Sequence, residues 1–228
     1  MKKVFNVILT LCVLGLIWVC YGSIMGPIKF EKAKKLRDKQ VISRLIDIRK
    51  AQVEYRLVHD GRYTASLDTL IDFVKTGKLP IVKKEGSLTD DQLADGLTEK
   101  KAVRMIEKAR KTGNWAKVKK AGLENFSRDT TWVAVLDSLY PAGYVADSMR
   151  YVPFGNGAIF EMAAKSDTTE NGMPINLFQA QTPYTVYLDG LNKQEITNLI
   201  DIKTKLGRYC GLRVGDIEEP NNNAGNWE

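Results

Sequence analysis

VFNVILTLCVLGLIWVCYGSIM, residues 4–25, runs for 22 residues without a charge, and PIKFEKAKKLRDKQVISRLIDIRKAQVEYRLV, residues 27–58, continues from it with helical character. A helix needs about 20 apolar residues to cross some 30 Å of hydrocarbon. At about 1.5 Å per residue the first run meets that length with some tilt. It is longer than the roughly 7–15 residues of a signal-peptide apolar region, so a retained anchor over residues 1–26 is expected rather than a cleaved leader. Leu11 and Val19, before Cys12 and Cys20, are not the small residues of a lipoprotein cleavage site.

The second half of the stretch divides in two. Residues 27–40 form a charged neck: from Lys29 to Gln40 most positions are charged, and only Phe30, Ala33 and Leu36 are apolar. A helix this polar is expected to be a solvated neck with its lysines near the headgroups. From Val41 the pattern turns amphipathic. Val41, Ile42, Leu45, Ile46, Ile48, Val53, Tyr55 and Leu57 form a broad apolar face at i, i+3, i+4, i+7 spacing, which predicts burial on a domain. Asp60-Gly61 ends the helix.

Within the apolar run, Gly15, Gly22 and Gly26 fall at helical spacing, and Gly22 to Gly26 is a GxxxG match. Small residues let two membrane helices approach closely, so these three are the candidate helix–helix contact. The expected partners are therefore the bilayer and, through this helix, other envelope membrane proteins or a second copy of the chain.

The junction carries a family resemblance. Arg49, Ala51, Gln52 and Tyr55, then Gly61-Arg62-Tyr63-Thr64 and Leu67-x-x-Leu70, resemble the stretch of type IV pilins and type II secretion pseudopilins that joins the N-terminal helix to the globular head. The resemblance covers about residues 4–80. It implies an α+β fold in which a long helix packs on an antiparallel sheet, and a non-enzymatic role in a secretion- or pilus-like envelope machine. Lys3 stands before the run where those families have a glycine, and the run lacks their early glutamate, so processing and filament assembly are not implied. The chain also resembles single-span envelope proteins of Gram-negative bacteria, a resemblance that implies no activity.

Further along, Leu67 to Thr76 reads as a short helix capped by Ser66. Residues 87–125 read as a charged helical insertion. Its basic residues, Lys108, Arg110, Lys111, Lys117, Lys119 and Lys120, come with few aromatics, so solvated helix faces are expected and nucleic acid is not. Strands are expected at 131–136, 158–164, 175–180, 183–188 and 209–214. A helix is expected from about 191 to 205, with Ile196, Leu199, Ile200 and Ile202 buried. Residues 41–217 thus read as one α+β domain, and 218–228, rich in Glu and Asn, as a disordered tail.

Charge is uneven. Residues 1–130 hold 27 Lys and Arg against 15 Asp and Glu, a net +12, whereas residues 131–228 hold 7 against 12, a net −5. Basic residues on the C-terminal side of the run outnumber Lys2 and Lys3, which by the positive-inside rule favours a cytoplasmic domain. The pilin-like layout, and the readiness of long domains to translocate regardless of charge, favour a single-pass inner-membrane protein with a periplasmic domain. A tethered cytoplasmic domain that binds anionic lipid or nucleic acid through the basic first half is the alternative. His59 is the single histidine, and Cys210 the single cysteine outside the apolar run. No phosphate loop, nucleophile elbow or CxxC accompanies them, so no cofactor, metal or catalytic residue is expected.

Overall fold

The computed structural model describes residues 2–168 and 172–228. The turn expected at Asn171-Gly172 falls partly outside them. In chain order the elements are α1 (Lys2–Val58), α2 (Leu67–Thr76), β1 (Lys78–Glu85), α3 (Asp90–Ala94), α4 (Glu99–Thr112), α5 (Ala116–Lys120), β2 (Ser127–Ala134), α6 (Val135–Leu139), a 3₁₀ turn (Ala146–Arg150), β3 (Glu161–Thr168), β4 (Pro174–Pro183), α7 (Tyr184–Tyr187), α8 (Lys193–Lys205) and β5 (Gly211–Gly215). The fold is α+β, with a long N-terminal apolar helix and two small antiparallel sheets, β1-β2 and β3-β4-β5. The chain divides into two compact units: Met1–Lys75 with Leu139–Glu228, and Thr76–Ser138.

In the first unit, α1 is one helix of 57 residues that passes through Pro27. Of its predicted apolar face, Val41, Leu45 and Ile48 are inaccessible to solvent, as is Ala51, but the face ends early: Val53 and Leu57 are 39% and 71% exposed. The opposing core comes from Met149, Phe160, Phe178, Ala180, Tyr187, Leu188 and Val214. β4 is the central strand of the three, paired antiparallel with β3 (Ala164 opposite Phe178) and with β5 (Ala180 opposite Val214). Burying apolar surface contributes roughly 25 cal/mol per Å². That makes this helix-on-sheet contact the main stabilising term of the unit.

Four expectations are corrected here. The neck is not solvated throughout: Phe30 is buried, and Lys34, Arg37 and Asp38 are half-buried. Their long side chains lay aliphatic stems along the domain while their heads find polar partners. Residues 183–188 form the short helix α7 rather than a strand, because β4 already ends at Pro183. α8 forms where predicted, but none of its residues is fully buried and Ile202 is 57% exposed.

The tail is not disordered, the fourth correction. Asn222 and Asn223 take left-handed backbone angles (φ 55° and 60°), a conformation Asn tolerates well. The resulting turn brings Gly225 into a bridge with Val214, and Asn226 N–H donates to Arg213 O at 2.9 Å. A Cβ on Gly225 would meet the Trp227 ring at 2.4 Å, so any larger residue there has to displace that ring.

The second unit is wider than the insertion expected at 87–125. It is framed by the β1-β2 ribbon, registered from Lys78 opposite Ala134 to Glu85 opposite Ser127. The segment around Thr131 is therefore part of this unit and does not join the three-stranded sheet. Beyond the ribbon, α3, α4 and α5 enclose a small cluster of Ala102, Ile106, Ala109, Val118, Leu123 and Phe126. Thr89 and Gln92 form a reciprocal capping box at α3, and α4 runs from a Thr98 cap to Gly113 in the left-handed region. Arg128 lies over the Phe126 ring at 4.0 Å and bonds Glu99 at 3.0 Å. The predicted basic residues Lys108, Arg110, Lys111, Lys117, Lys119 and Lys120 are all exposed.

Candidate functional site

The stem helix is where the sequence placed its candidate residues. Gly15 and Gly22 lie exposed on α1 and Gly26 is half-buried. A Cβ built on any of the three meets nothing within 4 Å, so the glycines leave an open notch along the helix that no other part of the chain fills. Around them Leu14, Ile17, Trp18, Tyr21 and Ile24 are also exposed. α1 is thus the one helix, among the described residues, long and apolar enough to span a membrane.

Beyond the apolar run, the side chains of α1 meet the rest of the first unit as a series of polar contacts in helix order. Nearest that run, Lys34 Nζ and the Tyr187 hydroxyl both donate to the Asp38 carboxylate, each at 2.7 Å. Arg37 Nη1 donates to the carbonyls of Tyr187 at 2.8 Å and Asp189 at 2.7 Å. Burial, then the Asp38 carboxylate, push the Tyr187 phenol far above its ordinary range, so it stays a donor. Burial likewise pushes neighbouring Tyr184 up to about 12.

Two turns further on, the Tyr140 hydroxyl donates to the Asp47 carbonyl at 2.8 Å and the Tyr144 hydroxyl to its carboxylate at 3.0 Å. The two rings stack at 4.2 Å. Burial raises the Asp47 carboxyl above the usual range, against the pull of Tyr144, Arg44 and Lys50. Arg44 Nη1 donates to Ser148 Oγ at 2.6 Å. Farther still, buried Gln52 donates to Thr64 O at 2.6 Å and accepts from Thr64 N–H at 3.2 Å, fastening the helix to the loop after it. At the same level Arg49 bonds Glu228 at 2.7 Å.

These groups are ordered along the stem and do not converge on a reacting centre. His59 is exposed, stacked on Tyr55 at 3.8 Å, with its Nδ1 2.9 Å from Tyr55 O. Cys210 lies 3.6 Å from Ile200 O and 3.3 Å from Thr204 Oγ1. Sequence reasoning placed the glycine stripe but missed Asp38, Asp47 and Gln52 as contacts. Their signal was polar residues at helical spacing beside the apolar face, which reads equally well as a solvated surface.

No protein-family model, curated protein or solved structure matches the chain. The reading below therefore rests on the stem and its contacts.

Proposed function

We propose that the protein is a non-enzymatic, single-span membrane protein and a structural or assembly component of a bacterial envelope machine of the secretion or pilus-like kind. On this reading it is held in the inner membrane with its α+β domain on the periplasmic side, and it acts through protein contacts. The supporting observation is the continuity of α1: the helix that leaves the apolar run becomes the core element of the domain, so anchor and domain are joined without an intervening loop. The open notch at Gly15, Gly22 and Gly26 offers a surface for pairing with another membrane helix.

Two experiments test this. Reporters active only in the periplasm or only in the cytoplasm, placed on the exposed 86–87 turn, report the side on which the domain lies. A cytoplasmic signal rejects the periplasmic assignment and favours a tethered domain working at the cytoplasmic face. Crosslinking in membranes through Cys12 and Cys20, with Gly22→Leu as the comparison, tests pairing. Crosslinks that Gly22→Leu leaves undiminished reject the glycine notch.

A further inference from the structure

The topology of the first unit decides which of its segments face the bilayer, given that α1 is the membrane anchor proposed above. β4 runs antiparallel to α1. Near the start of β4, Asn176 bonds Gly61 O at 2.8 Å, beyond the far end of the helix. Just past its end, the Tyr184 ring lies 5.9 Å from Lys34 Nζ, close to the span. β5 starts opposite Pro183 and runs back. The chain therefore leaves β4 and returns to β5 at the end of the unit nearest the membrane, where Tyr184 N–H donates to Cys210 O at 3.0 Å and Cys210 Sγ lies 3.3 Å from Thr204 Oγ1, so α7 and the last turns of α8 sit at that end. The loop ahead of β3 belongs to the same end, since Phe154 lies 5.1 Å from the Arg37 guanidinium.

That end lies close to lipid. Phe30, five residues past Met25, is only 7% exposed, so the domain covers the helix within about 8 Å of the end of the apolar run. The headgroup layer occupies roughly 5–7 Å on each side of the hydrocarbon. It also carries an unpartnered apolar pair: Ile202 and Leu206, one turn apart at the C-terminal end of α8, are 57% and 61% exposed. Exposed Lys205 lies between them in sequence, paired to Asp201 at 2.8 Å, whereas half-buried Lys203 lines a cavity with Arg208, Arg213, Asn226 and Glu228. Exposed Lys29, Lys32 and Lys35 on α1 add to the positive charge at this end.

We propose that the C-terminal turn of α8 is a second membrane contact, with Ile202 and Leu206 seated in the interface of an anionic bilayer and Lys205, together with Lys29, Lys32 and Lys35 of α1, on its headgroups. Exposed apolar residues interleaved with basic ones are the pattern of segments that lie in the membrane plane. Anionic lipid is the partner this charge fits.

The test uses the full chain in vesicles of anionic and of zwitterionic lipid. Cys12, Cys20 and Cys210 are replaced by serine, and an environment-sensitive fluorophore is placed on Ile202→Cys, Leu206→Cys or, as the distal control, Leu57→Cys. Nitroxide attached near the lipid headgroup should quench the first two probes several-fold more than the third, more strongly in anionic vesicles. In the unlabelled wild-type chain, hydrogen exchange over residues 202–209 should slow on transfer from neutral detergent to anionic vesicles. Equal quenching at all three positions, or probes at 202 and 206 shielded from both lipid nitroxide and aqueous iodide as a protein partner would shield them, overturns the proposal. Extraction of the chain by carbonate overturns the anchor reading itself, an outcome distinct from an inserted chain whose α8 stays in water.

Discussion

In the unit built on α1, side chains that share a core come from residues 30–75 and from 139 onward, two stretches separated in sequence by the whole of the second unit. In the unit Thr76–Ser138, the cluster of Ala102, Ile106, Ala109, Val118, Leu123 and Phe126 comes from 25 consecutive residues, closed by a ribbon whose ends meet. The first core holds large side chains with no exposure. The second is half alanine and valine, and relies on caps and on Arg128. The difference teaches that two routes to a folded unit coexist in one chain, long-range packing on a helix and local closure of an insertion.

The strongest way to break that comparison is Phe178→Ala. Removing a fully buried phenylalanine costs about 3–5 kcal/mol. Hydrogen exchange should then accelerate in β3, β4 and β5 while amides of the β1-β2 ribbon keep their protection. Loss of protection in both units together would show a single cooperative structure.

Two glutamines sharpen the contrast at smaller scale. Gln52→Leu leaves the buried N–H and C=O of Thr64 without a partner, and each such group costs about 1–3 kcal/mol. Gln92, half-buried in the second unit, accepts from Thr89 N–H and donates to Ala121 O. Water can replace it there, so Gln92→Ala should cost no more than about 1 kcal/mol in denaturant melts.

Titration separates the units as well. The tyrosines pushed upward by burial, Tyr140, Tyr144, Tyr184, Tyr187 and Tyr209, all lie in the first unit; Tyr144, Tyr184 and Tyr209 reach about 12. A folded-state pKa above the unfolded value means the stabilisation is complete below about pH 10 and is lost as pH rises toward 12. Absorbance at 295 nm should show these phenols ionising late, together with unfolding of the first unit. Asp47 has the same sign at the other end of the scale. Its stabilisation is present in acid and lost as pH rises through its elevated folded-state pKa, so Asp47→Asn should gain on the wild type across that rise and match it below. Comparing thermal midpoints of the two proteins from pH 3 to 7 checks this.

The smallest effect expected is Glu228→Gln. Its pairing with Arg49 is solvent-accessible, worth up to about 1 kcal/mol and weakened by salt. A larger loss would mean that the last residues hold the first unit together, as no counterpart does in the second.

The helices were legible in the sequence because periodicity and caps are local signals. α1 and α2 appear where their apolar spacing and end signals put them, and residues 87–125 are largely helical as expected. Strand pairing was less legible. Residues 131–136 read as a strand, but β2 ends at Ala134 and the next two residues open α6; its partner lies across the whole insertion and contains Pro80, which weakens the strand signal there. The tail misled because Asn-rich composition suits disorder and left-handed turns alike. Only the position of Trp227, two residues after Gly225, hinted that the turn has something to cover. The stem contacts at Asp38 and Asp47 were hidden because a charged residue beside an apolar stripe looks the same in sequence whether it faces water or a tyrosine.

Pro27 gives the stem a mechanical meaning. Proline removes one helical hydrogen bond and crowds the carbonyl one turn back, so a straight helix bends most readily there. If the apolar run spans a bilayer as proposed, the joint falls between a span whose angle follows bilayer thickness and a domain that covers the helix from Phe30 onward. A thinner or thicker membrane would therefore be absorbed as a change of angle at residues 23–27. The head would keep its pose on the surface while the buried half of the rod leans beneath it.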